Sequence, residues 1–518
     1  MRHSTLRAAI LLAAGLAILA AGASAEVKLP QALSSHMVLQ REMPVPIWGT
    51  AAPGEKVTVK FRDQEAAATA GQDGKWTVKL QPLQAGGPDK LTVAGTNTIT
   101  LDDVLVGEVW VGSGQSNMAG TVSGYAKSDD GLAKMAAAPY PRMRLLKIGG
   151  TWQEATPESI NGFSAILFAF GQRLHEDLKV PVGLAVGAVG GTPSGNWLSP
   201  EALAADAACK EVVKKFAAKY SFDDAKKKYE RDLAAWEKAA AETKKAGEKQ
   251  PRKPDPPVQA GECQRGTTGN LYQIHIRPLI PYAIRGVLWD QGESGTAILG
   301  VDQYTLMGAL IRGWRQEWGQ GDFPFIYIQK PSGGGCAWDT ADAVTSKGEP
   351  FATLPPAVPA TNDGIYRETH IHIMQYPSTA MATATDLGPG VHPTNKSGYG
   401  ARAARVALGM VYGRPVEIYG PLYQSFKVEG GKIRITFAHV GQGLAARHAE
   451  KLQGFAIAGE DKVFQWADAV IDGSTVVVSS GKVAKPAAVR YAWGGTHQWA
   501  NLFNKDGLPA LTFRTDSW

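Results

Sequence analysis

The stretch Val104-Leu105-Val106-Gly107-Glu108-Val109-Trp110-Val111-Gly112-Ser113-Gly114-Gln115-Ser116-Asn117-Met118 decides how this chain is read. From Val104 to Val111 it is a nearly continuous apolar run, interrupted only at Gly107-Glu108. A strand that is apolar on both faces belongs to a parallel sheet covered on both sides, because a strand with one wet face alternates instead. The run ends in a glycine-rich turn, and that turn carries Ser116. A serine that leaves a buried strand in this way can expose its hydroxyl at the edge of the sheet.

The same texture repeats downstream. A helical stretch at 163–178 leads to the buried strand Val182-Gly183-Leu184-Ala185-Val186 and a second glycine turn, Gly187-Ala188-Val189-Gly190-Gly191. A helical stretch at 272–282 precedes the strand Gly286-Val287-Leu288-Trp289, and a helix over 301–318 precedes Phe325-Ile326-Tyr327-Ile328. Buried strands alternating with helices predict an α/β domain over 104–415, a parallel sheet sandwiched by helices. In such sheets the loops at the carboxyl ends of the strands carry the chemistry.

The flanks differ. Residues 26–103 hold short apolar stretches, such as Val45-Pro46-Ile47-Trp48 and Val57-Thr58-Val59, between turn signals such as Gly71-Gln72-Asp73-Gly74. They predict a small N-terminal β-sandwich. Residues 416–518 are β-rich again and predict a C-terminal β-sandwich that packs with the first. Residues 210–260 interrupt the α/β pattern. Lys214 to Lys249 is rich in Lys, Ala and Glu, with aromatic and leucine positions at helical spacing, and predicts a helix or helical hairpin with a solvated charged face. The loop-like stretch 331–362 is long enough to suggest a roof over a functional site.

Residues 1–25 read as a signal peptide. Arg2 and Arg7 form a positive start, Ala8–Ala21 is an apolar run too short to span a bilayer comfortably, and Ala23-Ser24-Ala25 is a small-residue cleavage site. An uncleaved anchor is the alternative reading. Cleavage implies export to the periplasm or the medium. Removing two arginines takes the net charge from +6 to +4, which is mild for this length. No basic stripe with interleaved aromatics is present, so nucleic acid is not expected as a partner, and no later segment suits a membrane helix. Cys209 and Cys263 flank the insertion and are expected to form a disulfide; three buried thiols are the alternative.

Serine attack needs a base beside the hydroxyl and donors for the developing oxyanion. An α/β-hydrolase elbow would need glycine two positions after the serine, where this chain has Met118. His370 and His372, spaced as on one face of a strand, lack a Cys or Glu partner at ligand spacing, so no metal or other cofactor is expected.

Gly107 to Met118 closely resembles the first block of the sialate O-acetylesterase family, in the SGNH hydrolase superfamily. Gly190-Gly191-Thr192 with Trp197, then Trp289-Asp290-Gln291-Gly292-Glu293-Ser294, then Asp386-Leu387-Gly388 with His392-Pro393 and Asn395-Lys396 resemble the remaining blocks, in order. The resemblance extends to the tail, Asn501-Leu502-Phe503-Asn504 and Phe513-Arg514-Thr515-Asp516. It implies an SGNH-type sheet and a metal-free serine carbohydrate O-acetylesterase. Ser116 would be the nucleophile and His392 the general base. The oxyanion would be held by the Ser116 N–H, the Gly191 or Gly190 N–H, and the Gln291 amide. Asn117 and Trp197 would support the turn or meet the sugar, with core packing as the alternative for Trp197.

The residue that orients His392 departs from the superfamily pattern. The positions three and two before it are Pro389 and Gly390. Asp386, Glu293, another acid, or no acid at all, in a Ser-His dyad, remain open. The resemblance implies an acetylated glycan as the substrate, either a sialate 9-O-acetyl ester or an acetyl group on a plant hemicellulose such as xyloglucan or xylan. A non-catalytic carbohydrate-binding protein with a decayed hydrolase core is the opposing class.

Overall fold

The computed structural model describes residues 26–246 and 248–518. The signal-peptide reading of 1–25 lies outside the described residues. The architecture is mixed α/β, built on one central sheet. Six of its strands are β1 (Thr98–Gly114), β2 (Tyr140–Lys147), β3 (Val182–Ala188), β4 (Gly286–Asp290), β5 (Phe325–Ile328) and β6 (Thr379–Ala382). They lie in the order β6-β5-β4-β1-β3-β2, and every neighbouring pair is parallel.

Alternate residues of these strands enter two separate cores. Trp110, Leu184, Leu288, Ile326 and Ala380 face one, whereas Val109, Val111, Ala185, Val287, Trp289, Phe325, Tyr327 and Met381 face the other. This double burial is why the strands read as unbroken apolar runs. Helices α1 (Ala165–Leu178) and α3 (Lys396–Met410) cover the first core; α2 (Gln303–Trp318) covers the second through Met307, Leu310, Ile311 and Trp314. The polar interruption in β1 is compensated. Glu108 is fully buried and accepts from Arg285 Nε at 2.7 Å and Arg41 Nε at 2.5 Å.

Strand β1 runs without a break through residues 103 and 104. Its first half pairs antiparallel with Gly86–Ala94, and its second half lies between β3 and β4. The N-terminal strands are thereby stitched into the edge of the central sheet, a continuity that the change in residue texture at this point does not display. In the C-terminal region, Lys432–Ala438 and Thr475–Ser479 belong to one antiparallel sheet, and Phe455–Ala458 and Ala488–Tyr491 to another. Ile433, Ile435, Val476 and Val478 share a core with Phe455, Ile457, Val489 and Tyr491. No strand of this region pairs with the N-terminal strands among the described residues.

Three expectations change. The insertion is two helices, Ala207–Ala217 and Phe222–Ala246, but its flanking cysteines are not joined. The Cys263 thiol donates to the Arg265 carbonyl at 3.1 Å, and Cys209 lies buried in the first helix, its thiol pushed up to about 12 by burial. Residues 331–362 contain no helix or strand, as expected, and their bonds run both to the C-terminal sheets, as from Ala352 N to the Gln498 carbonyl, and to the loop after β6, where Gly333 N and Gly335 N donate to the carbonyls of Ala384 and Thr385 and Asn395 Nδ2 donates to the Val344 carbonyl. This segment joins the C-terminal region to the loop that carries His392. His370 and His372 lie on a helix, Gly364–Ile373, where a spacing of two puts them on different faces: His370 is buried and His372 exposed.

Candidate active site

Four loops converge at the carboxyl ends of the parallel strands, where the pattern of an open α/β sheet places a site. They follow β1, β3, β4 and β6. The first carries Ser116, the opening residue of a one-turn helix, Ser116–Ala119. Gly114 makes the turn possible. Its φ is +128°, and a Cβ there would lie 2.1 Å from the Asp290 carbonyl oxygen. That clash with backbone admits only glycine. Gln115 N then donates to the same carbonyl at 2.9 Å, so the turn is pinned to β4.

His392 arrives from the loop after β6. Its Nε2 stands 2.7 Å from the Ser116 Oγ. The two residues are 276 positions apart in the chain. Among the described residues no acid bonds the other ring nitrogen. Asp386 is fully buried and is clamped by the Arg402 guanidinium, at 2.8 Å and 3.2 Å. Glu293 accepts from Gln115 Nε2 and pairs with Lys330 Nζ at 2.9 Å. Both candidate acids are therefore engaged elsewhere, and Ser116 and His392 stand as a hydrogen-bonded pair with no acid on the ring among the described residues. Asp386→Asn is expected to keep kcat within about threefold of wild type, while weakening the Arg402 pair costs on the order of 2–4 kcal/mol of stability. Steady-state kinetics per folded enzyme checks this; a hundredfold fall in kcat would return Asp386 to the catalytic set.

The second loop faces the serine. Val189 N donates to the Gly114 carbonyl at 3.1 Å, which docks this loop on the first. A Cβ on Gly190 would lie 3.5 Å from Ser116 Cβ, so Gly190 borders the hydroxyl, and Gly191 sits in open space at φ +72°. Neither glycine N–H is taken by a protein acceptor among the described residues. The Ser116 N–H opens its helix, and the preceding Gln115 side chain makes no capping bond to it.

Gln291 has another place than expected, and for Trp197 and Asn117 the structure favours core packing and support of the turn over contact with a sugar. The Gln291 amide nitrogen donates to the carbonyls of Thr192 and Gly295, at 3.3 Å and 3.1 Å. Both its hydrogens are committed, so Gln291 braces the second loop against the third and has none left for an oxyanion. Trp197 is fully buried, donates to Thr192 Oγ1 at 3.0 Å and packs edge-on against Trp289; it is core and touches no sugar. Asn117 is also fully buried, which removes it from substrate contact. Its Nδ2 donates to the Val391 carbonyl at 3.0 Å and its Oδ1 accepts from Lys396 Nζ at 2.6 Å.

Beneath the serine turn lies a charged core that the sequence reading did not single out. Lys330 Nζ is 2.8 Å from Asp290 Oδ1 and 2.9 Å from Glu293 Oε1, and both Lys330 and Asp290 are fully buried. Burial opposes the charge on Lys330, but Asp290 and then Glu293 outweigh it and hold the ammonium above the usual lysine range. One signal was available: Asp290 and Lys330 lie at the ends of adjacent buried strands, where opposite charges can meet.

Comparison with known proteins agrees with this arrangement. A family model described as carbohydrate esterase, sialic acid-specific acetylesterase, matches residues 106–228. The sialate O-acetylesterase of Pongo abelii is 26% identical, over 89% of this chain and 86% of its own length. The human sialate O-acetylesterase is 25% identical over the same shares. The crystal structure of a carbohydrate acetylesterase from Xanthomonas citri superimposes with a TM-score of 0.73 at 29% identity, covering 95% of this chain and all of that one. The similarity thus covers the serine loop and nearly the whole chain, and it is a similarity to sialic acid-specific and other carbohydrate acetylesterases.

Proposed function

We propose that this protein releases acetate from O-acetylated sugars through an acetyl-serine intermediate, with Ser116 and His392 as a metal-free dyad. The 2.7 Å approach of His392 Nε2 to Ser116 Oγ carries this reading. At that distance the imidazole can take the hydroxyl proton as the oxygen attacks the acetyl carbonyl. The carbonyl electrons move onto the oxygen, held by the Ser116 N–H and by the N–H of Gly191 or Gly190. Removing one such donor costs roughly a hundredfold or more in rate. Collapse expels the sugar oxygen, which takes the proton from His392. Water, activated by the same imidazole, then releases acetate and restores the serine.

The names of the relatives support acetylated carbohydrate as the substrate class; sialate 9-O-acetyl esters and hemicellulose acetyl groups are the two candidates from the sequence reading. Export follows from the reading of residues 1–25. The test is acetate release from 4-nitrophenyl acetate, from O-acetylated sialosides and from acetylated xylan and xyloglucan. Turnover of the simple ester and of at least one glycan is expected. Glycan binding without any acetate release would favour the non-catalytic alternative.

A further inference from the structure

The dyad leaves one ring nitrogen of His392 without an acid, and the residue itself lies in an exposed loop, beside Val391, which is 55% exposed. Something must hold the imidazole at the serine. Among the described residues, one chain of bonds reaches the residue before His392 from the interior. Lys396 Nζ donates to Asn117 Oδ1 at 2.6 Å, and Asn117 Nδ2 donates to the carbonyl of Val391 at 3.0 Å. Val391 is the residue immediately before the base, and Asn117 the residue immediately after the nucleophile. The link therefore ties the two halves of the dyad at the backbone.

We propose that Lys396 is a positioning residue for His392, acting through the Asn117 amide and the Val391 carbonyl in the place that an acid holds in a triad. The proposal rests on the dyad reading above. An ammonium on the amide oxygen draws electrons from the amide nitrogen, which strengthens its donation to the carbonyl beyond.

Lys396 is fully buried, and its position is costly to maintain. Its ammonium lies 4.4 Å from the Tyr125 ring centroid and 5.4 Å from that of Tyr399. Burial pulls it down to about 7, against the opposing pull of Asp290, while Lys330 adds to the depression and Glu293 and Asp129 oppose it. The sign of the linkage follows. Unfolded, the amine keeps its proton up to its ordinary range; folded, it releases it near 7. The stability penalty is complete below pH 7 and fades as pH rises from there towards the ordinary lysine range. A group kept at a stability cost, its ammonium hydrogen-bonded among the described residues to the Asn117 amide beside the serine, marks a functional position.

The experiment separates positioning from folding. Lys396→Met keeps the stem and removes the charge. Its kcat on 4-nitrophenyl acetate is expected to fall about 10- to 100-fold, the scale of a small misplacement of a reacting group, with KM changed less than about twofold. Its melting temperature at pH 6 should equal or exceed that of wild type, an outcome that a merely structural lysine would reverse. Asn117→Asp keeps the acceptor for Lys396 but cannot donate to Val391, and the same loss in kcat is expected. The double variant should be no slower than either single one, because all three break one link. Wild-type kcat in either single variant, or losses that multiply in the double, would overturn the proposal. Ser116→Ala, run alongside, keeps the two readings apart: if it retains turnover the dyad itself is wrong, whereas an inactive Ser116→Ala beside a fully active Lys396→Met sinks only the role of Lys396.

Discussion

Ser116→Ala should lower kcat for acetate release by about 10⁴-fold or more, the scale seen when a nucleophile is removed from a site whose oxyanion donors survive. The substitution is structurally mild. The Ser116 hydroxyl has His392 as its one hydrogen-bond partner among the described residues, so its removal leaves no buried group unsatisfied. The N–H groups of Ser116, Gly190 and Gly191 are backbone and persist, so KM should stay near the wild-type value. His392→Ala should cost a similar factor. The pair acts as a unit, so the double variant should be no worse than the single ones. Quenched-flow mass spectrometry should find an acetyl adduct on the Ser116 peptide of wild type alone. Retention of more than about a tenth of wild-type turnover by Ser116→Ala would remove the serine from the mechanism.

The second large effect is on stability. Lys330→Met should destabilise the fold by about 3–5 kcal/mol, the range for breaking a buried pair by deleting one partner. The ammonium stands between Asp290, fully buried at the end of β4, and Glu293 in the loop that follows. Without it two carboxylates share a dry site, and one must take up a proton or drag water inward. Activity should fall as well, because the same strand end pins the serine turn: the Asp290 carbonyl accepts from Gln115 N, and Glu293 accepts from Gln115 Nε2. Lys330 is held protonated above the usual lysine range, so its contribution is full below that range and is lost at alkaline pH. Urea unfolding of wild type and variant at pH 7 measures the effect. Adding Asp290→Asn and Glu293→Gln to Lys330→Met should recover part of the loss, since the uncompensated charges go with them. An unchanged midpoint in Lys330→Met would mean that the cluster carries no net stabilisation.

The residues of β1 and the loops after it were legible because local rules govern them. A strand buried on both faces must be apolar throughout, and a turn where a Cβ would lie 2.1 Å from a neighbouring carbonyl oxygen must be glycine at Gly114, so both leave a mark in the sequence. Ser116 and His392 were legible for a different reason: their blocks resemble those of a known family in order. The insertion's helices followed from their spacing. Burial decided between open alternatives: Trp197 and Asn117 lie next to the site, and only the packing reveals that both are sealed inside. The family resemblance implies Gln291 as an oxyanion donor, but the carbonyls of Thr192 and Gly295 accept its amide hydrogens.

The sequence alone determined the parallel α/β core, the serine in its glycine turn and the histidine that meets it, because strand burial and turn sterics act on neighbours along the chain. The tertiary structure alone decided which groups reach the histidine's loop and which are committed elsewhere. Asp386 lies six residues before His392 in the chain, yet its carboxylate is claimed by Arg402, while Asn117 reaches the loop from 274 residues away. A carboxylate or an amide is committed by whichever partner the fold brings within about 3 Å, and that choice is made by packing between distant segments.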